Sequence, residues 1–129
     1  MNNIFINLSN HPSSKWSKTQ IEAALALCEN GPLIDIPFPN IEPEMLTVEV
    51  SKLASKYVAQ IIDLIKEYDA DYAFIHVMGE MTFTFNVVTQ LAENGHNSFA
   101  STTKRNVIEN ADGTKTSTFE FVQFRQYYS

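Results

Sequence analysis

The segment from Tyr72 to Thr84, with the sequence YAFIHVMGEMTFT, constrains the fold more than any other part of the chain. Its first half is an almost unbroken apolar run, which is typical of a strand in the middle of a parallel sheet covered by helices. Glycine permits a positive φ or the close approach of another group where a strand turns into a helix. We therefore expect a central strand, a sharp turn at Gly79 and a helix that begins at Glu80 or Met81.

The rest of the amino-terminal two thirds alternates between short apolar runs and segments with a helical period. Ser17 and Gln20 have the spacing of a capping box, which predicts that a helix begins near Lys18. The predicted strands are Ile4–Leu8, Leu33–Phe38 and Ser98–Ser101, and the predicted helices are Lys18–Glu29, Thr47–Tyr68 and a third that ends at Asn94. In the third helix the period favours a buried face through Met81, Phe85, Val88 and Ala92.

The carboxyl-terminal segment has a different pattern. Asp112-Gly113 separates Asn106–Glu109 from Thr116–Phe124, and Asp-Gly between two strand-like runs is a strong hairpin signal. Three helices between parallel strands, followed by this hairpin, give the order β-α-β-α-β-α-β-β-β, with right-handed crossovers that cover both faces. The sequence thus predicts an α/β protein with a Rossmann-like three-layer fold, a mostly parallel central sheet and a single domain over residues 1–129.

The composition excludes several classes of partner. The net charge is -6, whereas proteins that coat duplex DNA or an anionic membrane present broad positive surfaces. No apolar run is long enough for a membrane helix and the amino terminus does not read as a signal peptide, so we expect a cytoplasmic protein.

Residue content also excludes several standard chemistries. The chain has only four glycines, and neither a Walker-type phosphate loop, a dinucleotide fingerprint nor a Gly-x-Ser-x-Gly elbow is present. Cys28 is the only cysteine and the three histidines are scattered, so we expect no disulfide, no zinc site and no cofactor.

Polar residues follow three of the predicted parallel strands, and the carboxyl ends of such strands meet at one edge of the sheet, where ligands bind. The candidate ligand-binding residues are Ser9, Asn10, Ser13, Ser14 and Lys15 after the first strand, Gly79, Glu80 and Thr82 after the third, and Ser101, Thr102 and Thr103 after the fourth. His11, Lys104 and Arg105 are further candidates for the same site, because an exposed loop imidazole can titrate near neutral pH and basic side chains bind anions. Hydroxyls, amides and cations together suit phosphate and ribose better than a metal ion.

Each of these signals also has a structural explanation. The run from Ser9 to Ser14 can be turn and capping chemistry, and Glu80 is expected in a first helical turn from the helix dipole alone. Trp16 can stack on a base or cover the end of the first helix. His76 lies inside the central strand, where a satisfied core histidine is the better interpretation.

The segments NLSNHPSSKW, IDIPFPNIEP, HVMGEMTF, STTKR and FEFVQFRQY resemble the small CARF (CRISPR-associated Rossmann fold) and ring-nuclease proteins of type III CRISPR systems. The resemblance implies a homodimer whose two strand-end clefts face each other and bind a cyclic oligoadenylate, in particular cyclic tetra-adenylate. Effector members carry an added nuclease domain with an Arg-x(4–6)-His motif, but no histidine follows Arg105 or Arg125.

A protein of this kind is expected to degrade the messenger without a metal ion, by attack of the ring's own 2′-hydroxyl that leaves a 2′,3′-cyclic phosphate. The implied roles are phosphate stabilisation for Lys104 and Arg105, orientation for Ser101, Thr102 and Thr103, proton transfer for His11, and ribose or base contacts for Asn10 and Glu80. Two alternatives stay open: a non-catalytic sensor of the same ligand, and a flavodoxin-like or nucleoside-binding enzyme of metabolism.

Overall fold

A computed structural model describes all 129 residues of the chain, which form three α-helices and five β-strands. The strands are β1 (Asn3–Ser9), β2 (Leu33–Pro37), β3 (Tyr72–Met78), β4 (Ser98–Glu109) and β5 (Lys115–Gln126). The helices are α1 (Lys18–Leu27), α2 (Thr47–Glu67) and α3 (Met81–Glu93), and a short 3-10 turn spans Ser13–Lys15. The chain is an α/β protein, as the sequence predicts.

The five strands form one sheet with the order β2-β1-β3-β4-β5. Strand β1 pairs in parallel with β2 and β3, and β4 pairs in parallel with β3, whereas β5 is antiparallel to β4 and completes the hairpin. Because the chain leaves β1 first to one side and then to the other, the strand order reverses at β1 and β3. The carboxyl ends of these two strands are where an open parallel sheet binds ligands.

Side chains of β1 alternate between the two faces of the sheet. Ile4, Ile6 and Leu8 lie in a buried cluster with residues of α2 and α3. Phe5 lies on the opposite face, where it packs against Ala24 and Cys28 of α1 and the stretch that follows it. The two apolar faces make the sheet the middle layer of the domain. None of the helices has the length and apolar composition needed to cross a membrane.

Helix α3 begins after Glu80, as predicted, but the predicted buried face is wrong at two positions. Met81 and Phe85 are 83% and 70% exposed, whereas Phe83 and Leu91 are fully buried. The first two turns of α3 are apolar on more than one side, so the helical spacing of apolar residues is consistent with two different buried faces. Contact with α2 selects the face that contains Phe83, whose ring centroid lies 5.4 Å from that of Tyr57.

The turn at Gly79 is tight for a packing reason. A β-carbon at Gly79 would lie 2.3 Å from the ring of Phe38, so the glycine provides room for an aromatic side chain. Of the two explanations that the sequence allows for this glycine, close approach is therefore the one that applies, and the approaching group comes from the protein itself.

Strands β4 and β5 continue beyond the rest of the sheet as a two-stranded ribbon. Only Ser98 and Phe99 of β4 pair with β3, while the pairing with β5 extends to Glu109. A β-bulge between Thr102 and Thr103 leaves Val122 of β5 as an extra residue, which increases the local twist. The predicted break between strands at 98–101 and 106–109 is therefore wrong: the ribbon is exposed on both sides, so hydroxyl and charged residues continue the strand instead of ending it.

Candidate functional site

A polar cavity of about 430 Å³ opens at the carboxyl ends of β1 and β3, between the start of α1 and the ribbon. The ends of the two strands are held together there, since the backbone N–H of Asn10 donates to the carbonyl of Met78 at 3.2 Å. The walls of the cavity are formed by Ser9, Asn10, His11, Lys15, Trp16, Ser17, Thr19, Gln20, His76, Met78, Ser101, Thr103, Phe119, Glu120 and Phe121. Lys15 is the only lysine or arginine in this wall, and Glu120 directs its carboxylate to the other face of the ribbon, where it accepts from Asn106 Nδ2 at 3.2 Å.

The loop after β1 is fixed by the backbone carbonyl of His11. This oxygen accepts hydrogen bonds from Asn7 Nδ2 and Trp16 Nε1, each at 3.0 Å, and lies 3.0 Å from Ser9 Oγ, whose single proton it shares with Asn7 Oδ1. The acceptor is a backbone atom, so the imidazole of His11 plays no part in holding the loop and stays exposed at the cavity. The loop thus presents a free imidazole from a rigid turn.

A polar network lies beneath this loop, with the buried Asn7 at its centre. Asn7 Nδ2 donates to Asp35 Oδ1 at 2.8 Å, and Asn7 Oδ1 accepts from Ser9 Oγ at 2.8 Å. The same Asn7 oxygen lies 2.8 Å from Nδ1 of His76. Asn7, Asp35 and His76 are on neighbouring strands at the same level, because Asn7 pairs with Asp35 of β2 and with His76 of β3.

Asp35, on β2, fixes the position of the 3-10 turn that follows the loop after β1. Its carboxylate accepts from the backbone N–H of Ser13 at 3.0 Å and from the Ser13 hydroxyl as well as from Asn7. Although partial burial alone would raise the pKa of Asp35, these hydrogen bonds hold the pKa below its ordinary value. The 3-10 turn that carries Lys15 is thereby attached to β2.

His76 is buried, with a relative exposure of 2%, yet its ring forms part of the cavity wall. Burial, together with the nearby charge of His11, lowers the pKa of His76 to about 4, so the ring is neutral at physiological pH. Its Nε2 atom has no hydrogen-bond partner in the protein. A neutral buried imidazole with one unpaired nitrogen is therefore present in the site, and the interpretation of His76 as a satisfied core residue does not describe it.

Six of the sequence-predicted residues line the cavity together: Ser9, Asn10, His11, Lys15, Ser101 and Thr103. Ser13 is engaged with Asp35 and does not line the wall, and Ser14 is exposed on the 3-10 turn outside it. The Ser101 hydroxyl donates to the sulfur of Met78 at 3.2 Å, which holds β4 against the end of β3.

The residues predicted after β3 lie outside the cavity. The Glu80 carboxylate accepts from the backbone N–H of Phe83 at 2.8 Å and from the hydroxyl of Thr82, and these bonds lower its pKa. Glu80 is thus the amino-terminal cap of α3, in accord with its structural explanation. Gly79 borders a separate apolar groove that also contains Phe85 and Tyr127.

Lys104 and Arg105 do not line the cavity either, Lys104 because side chains alternate along β4 and Arg105 because it lies further along the ribbon. Lys104 pairs with Glu120, so its side chain is on the opposite face from Thr103. Arg105 shares the face of Thr103 but lies further out, where its Nη2 donates to the Ser117 hydroxyl at 3.0 Å. Thr102 is turned away like Lys104, and its hydroxyl donates to the carbonyl of Gln123.

An aromatic cluster adjoins the cavity through Trp16 and His76, which line its wall. The ring of Trp16 lies 5.5 Å from His76 and 6.0 Å from Phe5 between centroids, both in edge-to-face geometry. Phe124 contacts the same three rings at 5.1 to 5.8 Å. Trp16 therefore closes the core above α1, and its indole N–H is already used by the loop.

Sequence reasoning missed His76, Asn7 and Asp35 as one constellation. The signal was present in the pattern, because Asn7, Ser9 and His76 interrupt strands whose other positions are apolar. Buried polar side chains need partners, so polar positions on two adjacent strands suggest that they bond to each other. Recognising the pair required the register between β1 and β3, which the pattern does not provide.

The arrangement can bind an anion and a hydroxyl-bearing ligand side by side. Lys15 offers a positive charge, Ser101 and Thr103 offer hydroxyls, His11 can transfer protons and His76 offers a hydrogen-bond acceptor. Phe119 is 69% exposed beside these groups and offers an aromatic face.

The comparisons with known proteins concern the family. A search of curated proteins found no match. The sequence profile described as the Uncharacterized protein MJ1673 family matches residues 3–125, which include every strand of the parallel sheet and all residues of the cavity wall. On this match, which spans nearly the whole chain, the protein belongs to the MJ1673 family.

Proposed function

We propose that this protein binds a cyclic oligoadenylate, in particular cyclic tetra-adenylate, and cleaves it without a metal ion, as a ring nuclease that ends type III CRISPR signalling. The observation that carries the proposal is the cavity itself. One lysine, two imidazoles and several hydroxyls meet at the carboxyl ends of β1 and β3, beside an exposed aromatic ring. The resemblance of the loop and strand-end segments to CARF proteins supports the same ligand class.

In this proposal the phosphate and the base of a nucleotide each contact a specific group of the cavity. A phosphate lies against the ammonium of Lys15 and the hydroxyls of Ser101 and Thr103, because charge-assisted hydrogen bonds are the stronger kind. An adenine stacks on the exposed ring of Phe119, as bases do on aromatic side chains in single-strand binding sites. Lys15 takes the phosphate role that the sequence suggested for Lys104 and Arg105.

The reaction follows from the ligand's own chemistry. The 2′-oxygen forms a bond to phosphorus, and the bond from phosphorus to the 5′-oxygen breaks. His11 takes up the hydroxyl proton, and water protonates the departing 5′-oxygen. Lys15 stabilises the additional negative charge on the phosphorus oxygens in the transition state, while the walls hold the attacking and leaving oxygens in line.

A second copy of the chain completes the proposed site. A cavity of about 430 Å³ suits part of a ring rather than all of it, and one lysine per cavity is few for a ring with a charge on every phosphate. The apolar groove that contains Met81 and Phe85 adjoins the cavity through Met78, which lines both. Contact between two copies at this groove brings two cavities, and two copies of Lys15, to one ring.

Incubation of the purified protein with cyclic tetra-adenylate, in parallel with and without EDTA, tests the proposal. We expect linear products that end in a 2′,3′-cyclic phosphate, detected by mass spectrometry, at equal rates in both arms. A matched incubation with linear tetra-adenylate shows whether the ring is required.

The other outcomes are separable. Tight binding of an intact ring identifies a sensor, which is the alternative function left open by the sequence. Cleavage that EDTA abolishes contradicts the mechanism, and absence of both binding and cleavage contradicts the proposed ligand.

A further inference from the structure

The neutral imidazole of His76 has a fixed tautomer, and Asn7 fixes it. Asn7 Nδ2 faces Asp35 Oδ1 and the carbonyl of His11, and both of those oxygens accept hydrogen bonds. Since an ionised carboxylate and a carbonyl cannot donate, the amide nitrogen must be at that end of the Asn7 side chain. The orientation of the amide is therefore set by its partners.

The oxygen of Asn7 consequently faces His76. It already accepts from the Ser9 hydroxyl, and it lies 2.8 Å from Nδ1 of His76. An oxygen can only accept there, so Nδ1 of the neutral ring carries the proton. Nε2 then carries a lone pair, and this is the ring nitrogen that has no partner.

The unpaired nitrogen belongs to a side chain that is 2% exposed and that forms part of the cavity wall. An unpaired buried acceptor destabilises the free protein, so a ligand that donates to it gains binding energy from the contact. The other groups around the cavity do not compete for Nε2, since the Ser9 hydroxyl is bound to Asn7 and the Trp16 indole N–H to His11.

We propose that Nε2 of His76 accepts a hydrogen bond from a ribose 2′-hydroxyl of the bound ring other than the attacking one, and that Asn7 is the positioning residue that keeps this nitrogen an acceptor. The inference rests on the proposed function for the identity of the ligand. It adds that the site selects ribose over deoxyribose, and that the selection depends on the chain of hydrogen bonds from Asp35 through Asn7 to His76.

The tautomer is tested first, on the free protein. Long-range ¹H–¹⁵N spectra distinguish a protonated ring nitrogen from an unprotonated one. We expect a protonated Nδ1 and an unprotonated Nε2 for His76 in the wild type. In Asn7→Leu, which removes the acceptor beside Nδ1, we expect the preference for a protonated Nδ1 to be lost. An unprotonated Nδ1 in the wild type overturns the role of Asn7.

Ligand selection is tested with two rings, cyclic tetra-adenylate and its all-2′-deoxy analogue, with the fluorescence of Trp16 as the binding signal. The wild type is expected to bind the ribose ring roughly tenfold or more tightly. His76→Phe keeps the ring shape but removes the acceptor, so its preference should fall to about one. A preference that survives in His76→Phe overturns the inference, even if the wild type cleaves the ring.

A third measurement needs no variant, in case His76→Phe fails to fold. The ¹⁵N resonance of His76 Nε2 should move when the ribose ring is added to the wild type and should stay in place with the deoxy ring. Equal responses to both rings overturn the inference. If the wild type binds neither ring, the proposed function and the ribose contact are both overturned, while the spectra of the free protein still decide the role of Asn7.

Discussion

At the scale of single residues, the neutral state of His76 links the fold to pH. An imidazole that is exposed in the unfolded chain takes up a proton near pH 6.5, but burial and the charge of His11 lower the pKa of His76 to about 4 in the fold. Between these values the unfolded chain binds one more proton than the folded one. Protonation therefore favours unfolding in that range.

The free energy of unfolding should consequently decrease as the pH falls from about 6.5 towards 4, by about 3 kcal/mol in total from this one group. Above pH 6.5 the contribution is constant. Urea denaturation at several pH values measures the slope, and His76→Gln, which cannot titrate, is the control. Equal slopes for the two proteins between pH 4.5 and 6.5 would show that His76 is not the responsible group.

Lys15 lines the cavity and Lys104 does not, so replacing each in turn tests which of them binds the phosphate. Lys15→Ala should weaken binding of cyclic tetra-adenylate roughly tenfold or more, because a charge-assisted contact to phosphate is lost. Lys104→Ala removes the same charge from the opposite face of β4 and should change the affinity less than twofold. Titration monitored by Trp16 fluorescence measures both, and a larger effect at Lys104 would return the phosphate role to the residues favoured by the sequence.

The sequence predicts the loop residues of the site but not the residues that lie within strands, and the difference has a physical reason. Polar loop residues such as His11 and Lys15 are recognisable because turns and hydroxyl runs are local features. Lys104 and Arg105 were misplaced because strand alternation decides which face a side chain takes, and the extent of β4 was not predicted. His76 was missed because its partner Asn7 is 69 residues away in the chain.

At the scale of elements, the connection between α1 and β2 depends on a single glycine. The chain turns there through Glu29 and Asn30, which both have a positive φ, and then passes directly against β1 at Gly31. A β-carbon at Gly31 would lie 1.9 Å from the backbone carbonyl oxygen of Asn3. Backbone atoms cannot rotate aside as a side chain can, so any larger residue must displace a strand.

Gly31→Ala should therefore destabilise the protein by about 3 kcal/mol or more. Gly113→Asn is the matched control: Gly113 is at the tip of the hairpin with a positive φ and open space around it, and asparagine tolerates that conformation. We expect a change below about 0.5 kcal/mol for the control. Urea denaturation measures the free energy of unfolding of the two variants, and similar decreases in both would contradict a steric role for Gly31.

Which elements exist could be predicted from periodicity, and both ends of β1, α1, β2 and α2 agree with the prediction within two residues. The starts of α1, α2 and α3 are set by local signals, including the Ser17 side chain, which accepts from the backbone N–H of Gln20 at 3.2 Å. The buried face of α3 could not be predicted, because its choice depends on Tyr57 and Phe38 packing around Phe83. Such packing joins distant segments and leaves no local signal.

At the scale of the whole molecule, exposed apolar surface favours contact between two copies of the chain. Met81 and Phe85 are exposed beside Tyr127 and Tyr128 in a groove of about 470 Å³. Exposed apolar patches of this kind mark interaction sites. Because the groove adjoins the cavity, a two-fold contact there would place two binding sites face to face.

Light scattering after size-exclusion chromatography should accordingly report a dimer for the wild type and a monomer for Phe85→Glu. The variant should also lose affinity for cyclic tetra-adenylate, since only one Lys15 remains for each ring. Ile108→Glu introduces the same charge at another exposed apolar residue, far out on the ribbon, and should leave the dimer intact. A wild type that is monomeric in the presence of the ring would contradict the shared site.

The backbone carbonyl of His11 has a consequence for how such a protein can diversify. Two N–H donors and a shared hydroxyl converge on an atom that every amino acid possesses, so the turn keeps its shape whichever side chain occupies position 11. Related proteins can therefore exchange the imidazole for another group and acquire a different reactivity without rebuilding the loop. Asn7, Ser9 and Trp16 have no such freedom, and the architecture is expected to persist through them while the chemistry changes.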